Sequence, residues 1–197
     1  MTFPPDKAAL RRDALARRDA LAPAERLRFG EALSARVLAL EPGWPGGPVS
    51  AFWPIRSEFD PRPLMTALAA RGRELALPRV EKPVLSFRRY GEGDALVSGG
   101  FGLSEPGPEV PLLRPRIMLV PLAAFDRRCH RIGYGAGFYD RAIAAFSETE
   151  EPPLTIGVAF SVQEVDAVPD EWHDRVLDAI VTERETIRPT TDRREGP

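Results

Sequence analysis

The chain has 197 residues, 43% of them apolar, and a formal net charge of −2, enough for one domain with a real core. That balance and a pI near 5.8 give no reason to expect a nucleic-acid partner or an acidic membrane surface, and no apolar run approaches the ~18 residues of a membrane span. A single cysteine, Cys129, excludes an internal disulfide, and the charged start lacks a signal-peptide core, so the expected location is cytoplasmic.

Residues from about Asp6 to Leu21 are predicted to be helical, with Asp6 as N-cap before a Lys/Arg/Ala/Leu run. Leu10, Ala14 and Leu15 share its apolar face, while Lys7 and Arg11, four apart, point the same way. Pro23 suits the first turn of a second helix, in which Leu27, Leu33, Val37 and Leu40 recur at helical spacing until P-G-W-P-G-G-P ends it. Val49 to Trp53 is expected as the first strand and Pro61 to Ala70 as a short helix. Glu74 to Leu77 is a strand ending in Pro78-Arg79, and Val84 to Tyr90 is a further one. The glycines and prolines between Gly91 and Pro115 predict loop with one short strand. Ile117 to Leu122 is the continuous apolar run of a strand covered on both faces. Phe138 to Phe146 has helical composition, Leu154 to Phe160 and Val176 to Thr182 are the last strands, and the polar tail over 188–197 is expected to fray. Alternating strands and helices give an α/β fold over 1–187: a mostly parallel central sheet with helices on both faces, in three layers, entered by an N-terminal helical pair.

The stretch Arg131 to Arg141, R-I-G-Y-G-A-G-F-Y-D-R, carries the most chemistry. Gly133, Gly135 and Gly137 let the backbone take positive φ and come close to a ligand. A turn of this kind leaves N–H groups at a helix N-terminus, where phosphate is favoured, and Arg131 adds a planar cation. The spacing matches neither G-x-G-x-x-G nor the Walker pattern, so the residues alone define an anion site without a nucleotide class. Asp140, in the first helical turn, is either a partner for the helix dipole or a magnesium ligand. Asp174 and Asp178, in H-D-R-V-L-D, are second carboxylates for that metal, or turn and cap residues. Glu58, in W-P-I-R-S-E-F-D after the first strand, is placed to line the same crevice and accept paired N–H donors from a heterocycle. Trp53 either stacks on a ring or belongs to the core. Lys7 and Arg11 are by default a solvated face. Cys129 and His130 have no third orienting group for nucleophilic catalysis, and one cysteine with two histidines does not fill a protein-only zinc site.

Several segments in order carry a resemblance. They are K-A-A-L-R (Lys7 to Arg11), F-W-P-I-R-S-E-F-D (Phe52 to Asp60), L-P-R-V (Leu77 to Val80) and V-P-L-A-A-F-D (Val120 to Asp126). The glycine stretch follows, then I-G-V-A-F-S-V-Q-E-V and E-W-H-D-R-V-L-D-A-I-V-T-E. Across Asp6 to Glu183 the chain resembles the 5-formyltetrahydrofolate cyclo-ligase family, also called 5,10-methenyltetrahydrofolate synthetase. The resemblance implies an ATP- and magnesium-dependent ring closure of 5-formyltetrahydrofolate to 5,10-methenyltetrahydrofolate, releasing ADP and phosphate through a phosphorylated formyl (iminium phosphate) intermediate. It implies that Lys7, Arg11, Arg131, Ile132, Gly133, Tyr134, Gly135, Ala136, Gly137, Phe138 and Tyr139 contact ATP. By the same token Trp53 and Glu58 lie on the folate, with Tyr134, Gly135, Ala136, Gly137 and Phe138 touching it from the loop side, and Asp140 and Asp174 hold Mg2+. A monomer with small-molecule substrates is expected, without nucleic acid or membrane. The chain departs from the family pattern at Cys129, where glycine is usual, at Ala136, and at Phe138, which replaces the first of two tyrosines and loses a hydroxyl. Two other readings share such a sheet: a non-catalytic folate or nucleotide binder, and a phosphosugar isomerase or acyl-transfer enzyme.

Overall fold

The computed structural model describes residues 6–169 and 174–189; of the expected frayed tail, 190–197 lie outside the described residues, as do 170–173. Helix α1 (Lys7–Asp19) starts where Asp6 accepts the Ala9 N–H at 2.7 Å, and α2 (Pro23–Leu40) starts on a proline whose missing N–H costs nothing there. The remaining elements in order are β1 (Val49–Ser50), α3 (Arg62–Ala70), β2 (Leu75–Glu81), β3 (Val84–Tyr90), β4 (Leu96–Ser98), β5 (Ser104–Pro106), β6 (Ile117–Pro121), β7 (Ala124–Phe125), β8 (Arg131–Ile132), α4 (Phe138–Ser147), β9 (Leu154–Val158), β10 (Ala179–Val181) and β11 (Thr186–Ile187).

Seven strands form one sheet in the order β11-β10-β9-β6-β1-β2-β3. The inner pairings are parallel, and the edge pairs β2–β3 and β10–β11 are antiparallel. Strand alternation assigns the two faces. Ile117 and Leu119 pack with Leu33 and Val37 of α2 and Leu64 and Leu68 of α3; Met118 and Val120 pack with Ala142 and Ile143 of α4. The sheet is thus covered on both sides, which explains the unbroken apolar run of β6. The side chains of Ile117, Met118, Leu119 and Val120 are fully buried, each contributing about 1.5–3 kcal/mol by burial.

Several boundaries differ from expectation for identifiable reasons. β1 stops at Ser50, although the Ala51 N–H still reaches the Ala76 carbonyl at 3.0 Å; Pro54 then lacks a donor and the chain turns. β2 runs through Pro78 to Glu81 instead of ending there. Glu74 and Ala76 accept from Val49 and Ala51, so by two-residue alternation the donor-less nitrogen of Pro78 faces the side that β1 has already left. One step on, the Val80 N–H on that same edge is taken by Glu105 at 3.1 Å. The loop over Gly91 to Pro115 holds two short strands, β4 and β5, paired as a hairpin. β10 is shorter than expected, and β11 was not anticipated. No described helix is long and apolar enough to cross a membrane.

From β1 the chain winds toward β2 and β3; from β6 it winds the opposite way, toward β9 and β10. β1 and β6 are parallel neighbours, so a crevice opens beyond their carboxyl ends. Open α/β sheets bind ligands in such a crevice.

Candidate active site

Beyond β1 and β6 lies a cavity of about 430 Å³, lined on one side by the segment after β1 and on the other by the glycine stretch. The glycine stretch does not follow β6 directly. A two-strand hairpin, β7 and β8, intervenes and delivers the chain from β8 into Gly133. Gly135 (φ +99°) and Gly137 (φ +65°) use the left-handed freedom expected of them, Gly137 as the residue that opens α4, whereas Gly133 does not. Cys129, in the hairpin turn, takes φ +64° without being glycine. It is fully buried, and burial pushes its thiol up to about 11. A buried neutral thiol is a poor nucleophile.

Helix α1 supplies one wall. The Arg11 Nε donates to the Gly133 carbonyl at 2.7 Å, and Lys7 Nζ meets Asp174 Oδ2 at 2.6 Å. The two cations therefore reach the glycine stretch and the segment before β10, and are not a solvated face. Arg131 is 3% exposed at its side chain; its Nη2 donates to Asp140 Oδ1 at 2.7 Å and its Nη1 to the Arg175 carbonyl at 2.8 Å. Burial pulls the Arg131 pKa down, opposed by the charges of Asp140 and Asp174. Asp178 is elsewhere: it accepts from the Thr155 N–H at 2.8 Å and hydroxyl at 2.7 Å, tying β9 to the entry of β10.

On the opposite wall, Glu58 closes a turn in which the Ile55 N–H donates to its Oε2 at 2.9 Å and the Tyr134 hydroxyl donates to its Oε1. Burial raises the Glu58 pKa; the Tyr134 and Ile55 hydrogen bonds and the charges of Arg18 and Arg56 oppose it without prevailing. The pKa values of Tyr134 and Tyr139 are also raised, by burial first and then by the charge of Glu58, so both phenols stay protonated at neutral pH. Trp53 meets Tyr90 edge-on at 6.0 Å, and the Arg62 guanidinium lies 5.3 Å from its ring centroid. It borders the main cavity and a smaller one of about 200 Å³.

Of the residues singled out in the sequence, Arg11, Trp53, Glu58, Arg131, Gly133, Tyr134, Ala136, Gly137, Phe138, Tyr139 and Asp140 line the main cavity. Lys7, Gly135 and Asp174 are not among its lining residues, and the Ile132 side chain is buried with Ala14 and Ala124 in a small core under α1. Arg18 was missed. It lies seven residues beyond Arg11 on the same helix face, a spacing that was available as a signal. Arg56 was missed too; it holds φ +53° on the cavity rim beside Glu58.

A crevice at the switch point of an open α/β sheet, lined by arginines, two carboxylates and aromatic side chains, defines a small-molecule site. The chain belongs to the 5-formyltetrahydrofolate cyclo-ligase family, whose model matches residues 4–183, and it is an enzyme of that class. It is 32% identical over 168 residues to the 5-formyltetrahydrofolate cyclo-ligase of Escherichia coli (strain K12), covering 81% of this chain and 91% of that protein. With the enzyme of the same name from Mycolicibacterium smegmatis the identity is 32% over 181 residues, covering 83% and 87%. The solved structure of Aquifex aeolicus 5,10-methenyltetrahydrofolate synthetase superposes with a TM-score of 0.78 at 31% identity, over 97% of this chain and 94% of that one.

Proposed function

We propose that this enzyme couples ATP hydrolysis to closure of 5-formyltetrahydrofolate into 5,10-methenyltetrahydrofolate, with magnesium, inside the cavity beyond β1 and β6. The observation that carries this reading is the junction at Tyr134. One loop touches the α1 cation Arg11 through the Gly133 carbonyl and touches Glu58 through the Tyr134 hydroxyl. The turn that would bind phosphate and the carboxylate that would bind the heterocycle are therefore joined across the cavity, as transfer from one ligand to the other requires.

A formamide oxygen is a poor leaving group. The γ-phosphoryl group of ATP passes to that oxygen, breaking its bond to ADP and giving an iminium phosphate. N10 then attacks the formyl carbon, the C–O bond breaks, and phosphate leaves as the N10 proton is released. Phosphoryl transfer asks the protein for position and charge balance. Lys7, Arg11 and the N–H groups from Gly133 to Tyr139 supply both to the nucleotide, while Trp53 and Glu58 seat the folate. No protein nucleophile is needed, in keeping with the burial of Cys129.

Asp140 and Asp174 fit magnesium, which takes one or two carboxylates and completes its shell with phosphate oxygens and water. Both flank Arg131 electrostatically, and among the described residues no group of three His, Cys, Asp or Glu forms a dedicated cage. When bound there, the metal neutralises and orients phosphate oxygens. The test is the near-ultraviolet absorbance of the methenyl product: it should appear only with ATP and magnesium present. Product formation independent of ATP would contradict the proposal, and binding of both ligands without turnover would identify a non-catalytic binder.

A further inference from the structure

Arg18 is 1% exposed, yet its guanidinium is not used by the proposed chemistry. It lies in α1 between two hydroxyls: Nε donates to Ser57 Oγ at 2.9 Å and Nη1 donates to Tyr134 Oη at 2.7 Å. An arginine has donors only, whereas each hydroxyl carries a single proton. Because Arg18 occupies each hydroxyl as a donor, both protons must point away from it. That of Ser57 goes to Asp19, and that of Tyr134 goes to Glu58 Oε1. The Ile55 N–H fills one position on Oε2. A carboxylate has about four acceptor positions, so about two stay available for paired N–H donors.

We propose that Arg18 is a positioning residue for the folate: by fixing the direction of the Tyr134 hydroxyl proton it holds Glu58 as an oriented, ionised acceptor for the N–H donors of the heterocycle. This rests on the reading of Glu58 as the folate carboxylate. The same contacts link α1, the segment after β1 and the glycine stretch, so the element carrying Lys7 and Arg11 also sets the folate end. Four titratable or charged groups face Glu58: Arg18 from α1, Arg56 from its own turn, Tyr134 from the glycine stretch and Tyr139 from the start of α4. Burial drives Glu58 toward the neutral form, and a protonated carboxyl offers the wrong pattern to paired donors. Losing Arg18 removes a positive charge and lets the Tyr134 proton turn elsewhere, so Glu58 should take up its proton at higher pH.

The experiment compares Arg18→Met, Arg18→Lys, Tyr134→Phe, the double variant Arg18→Met/Tyr134→Phe and Glu58→Gln in steady-state kinetics against pH, with 5-formyltetrahydrofolate and ATP varied separately. Arg18→Met should raise the folate KM by about tenfold, the scale of one hydrogen bond to a charged group. It should also move the acidic limb of kcat/KM for folate to higher pH, with a smaller change in the ATP KM. Arg18→Lys should recover part of the loss. In the Tyr134→Phe background Arg18→Met should add little, because the two residues act through one contact. If Arg18→Met does not fold, Tyr134→Phe, at a position 38% exposed, must still shift the acidic limb; an unmoved limb there overturns the proposal. A lower melting temperature with an unchanged folate KM and acidic limb would make Arg18 merely structural. A folate KM that responds to Arg18→Met but not to Glu58→Gln overturns the assignment of Glu58 itself.

Discussion

Arg131 and Asp140 are joined across the glycine stretch, Nη2 to Oδ1 at 2.7 Å, with the arginine side chain 3% exposed and the aspartate side chain 36%. The resemblance assigned one to phosphate and the other to metal; the fold ties them to each other. Together with the Arg175 carbonyl, the contact holds the start of α4 against the segment before β10. Arg131→Ala should therefore abolish most turnover and also cost stability, about 3 kcal/mol, the lower edge for breaking one side of a buried pair, since Asp140 gains water. Activity and urea unfolding measure the two effects, and near-wild-type turnover would remove Arg131 from the site.

Asp140→Asn keeps the size and one acceptor oxygen for Arg131 but removes the charge. Half-maximal activity should require several times more magnesium, while the folate KM changes little. A magnesium titration that superposes on the wild type would place Asp140 outside the metal site.

Glu58 has its pKa raised by burial, so the folded state binds that proton more tightly than the unfolded chain. Its ionisation then subtracts stability, beginning as pH rises through the unfolded value near 4.5 and completed above the raised folded value. Glu58→Gln leaves an acceptor oxygen for only one of the two donors, Ile55 N–H and Tyr134 O–H, but sheds the buried charge. Its melting temperature relative to wild type should therefore be higher at pH 7 than near pH 4.5. A difference from wild type that stays the same between pH 4.5 and pH 7 would show that Glu58 is not held against a desolvation cost.

Cys129 occupies left-handed backbone at a buried position. A β-branched residue fits that region poorly, so Cys129→Val should lose about 2 kcal/mol or more. With its thiol pushed up to about 11, the native protein should resist alkylation at pH 7.5 and react once unfolded in urea. Rapid native labelling with loss of activity would contradict the structural role given to this residue.

Much of the architecture was legible in the sequence. The helical stripe of α1, the proline start of α2 and the unbroken β6 run each carry their cause locally. Less visible was anything decided by partners distant in sequence. Strand β2 passes Pro78 because β1 has ended and Glu105 waits at Val80; β7 and β8, two residues each, exist through their mutual pairing. At the site, the glycine stretch and Glu58 could be named from their residue types. That Lys7 meets Asp174 and Arg131 meets Asp140 could not, since those pairings depend on how α1 and the segment before β10 fold over the loop. Arg18 shares a helix face with Arg11, but its spacing alone did not single it out among the several arginines of α1.

If one cavity holds ATP at its α1 end and folate at its Glu58 end, substitutions at the two ends must divide their effects between the two ligands. Folate and ATP KM values are measured for Glu58→Gln and Arg11→Gln under identical conditions. Glu58→Gln should raise the folate KM by about tenfold and the ATP KM much less, with the reverse for Arg11→Gln, each losing one hydrogen-bonded contact to its own ligand. Equal effects of either substitution on both substrates, or a crossed pattern, would contradict that division of the cavity.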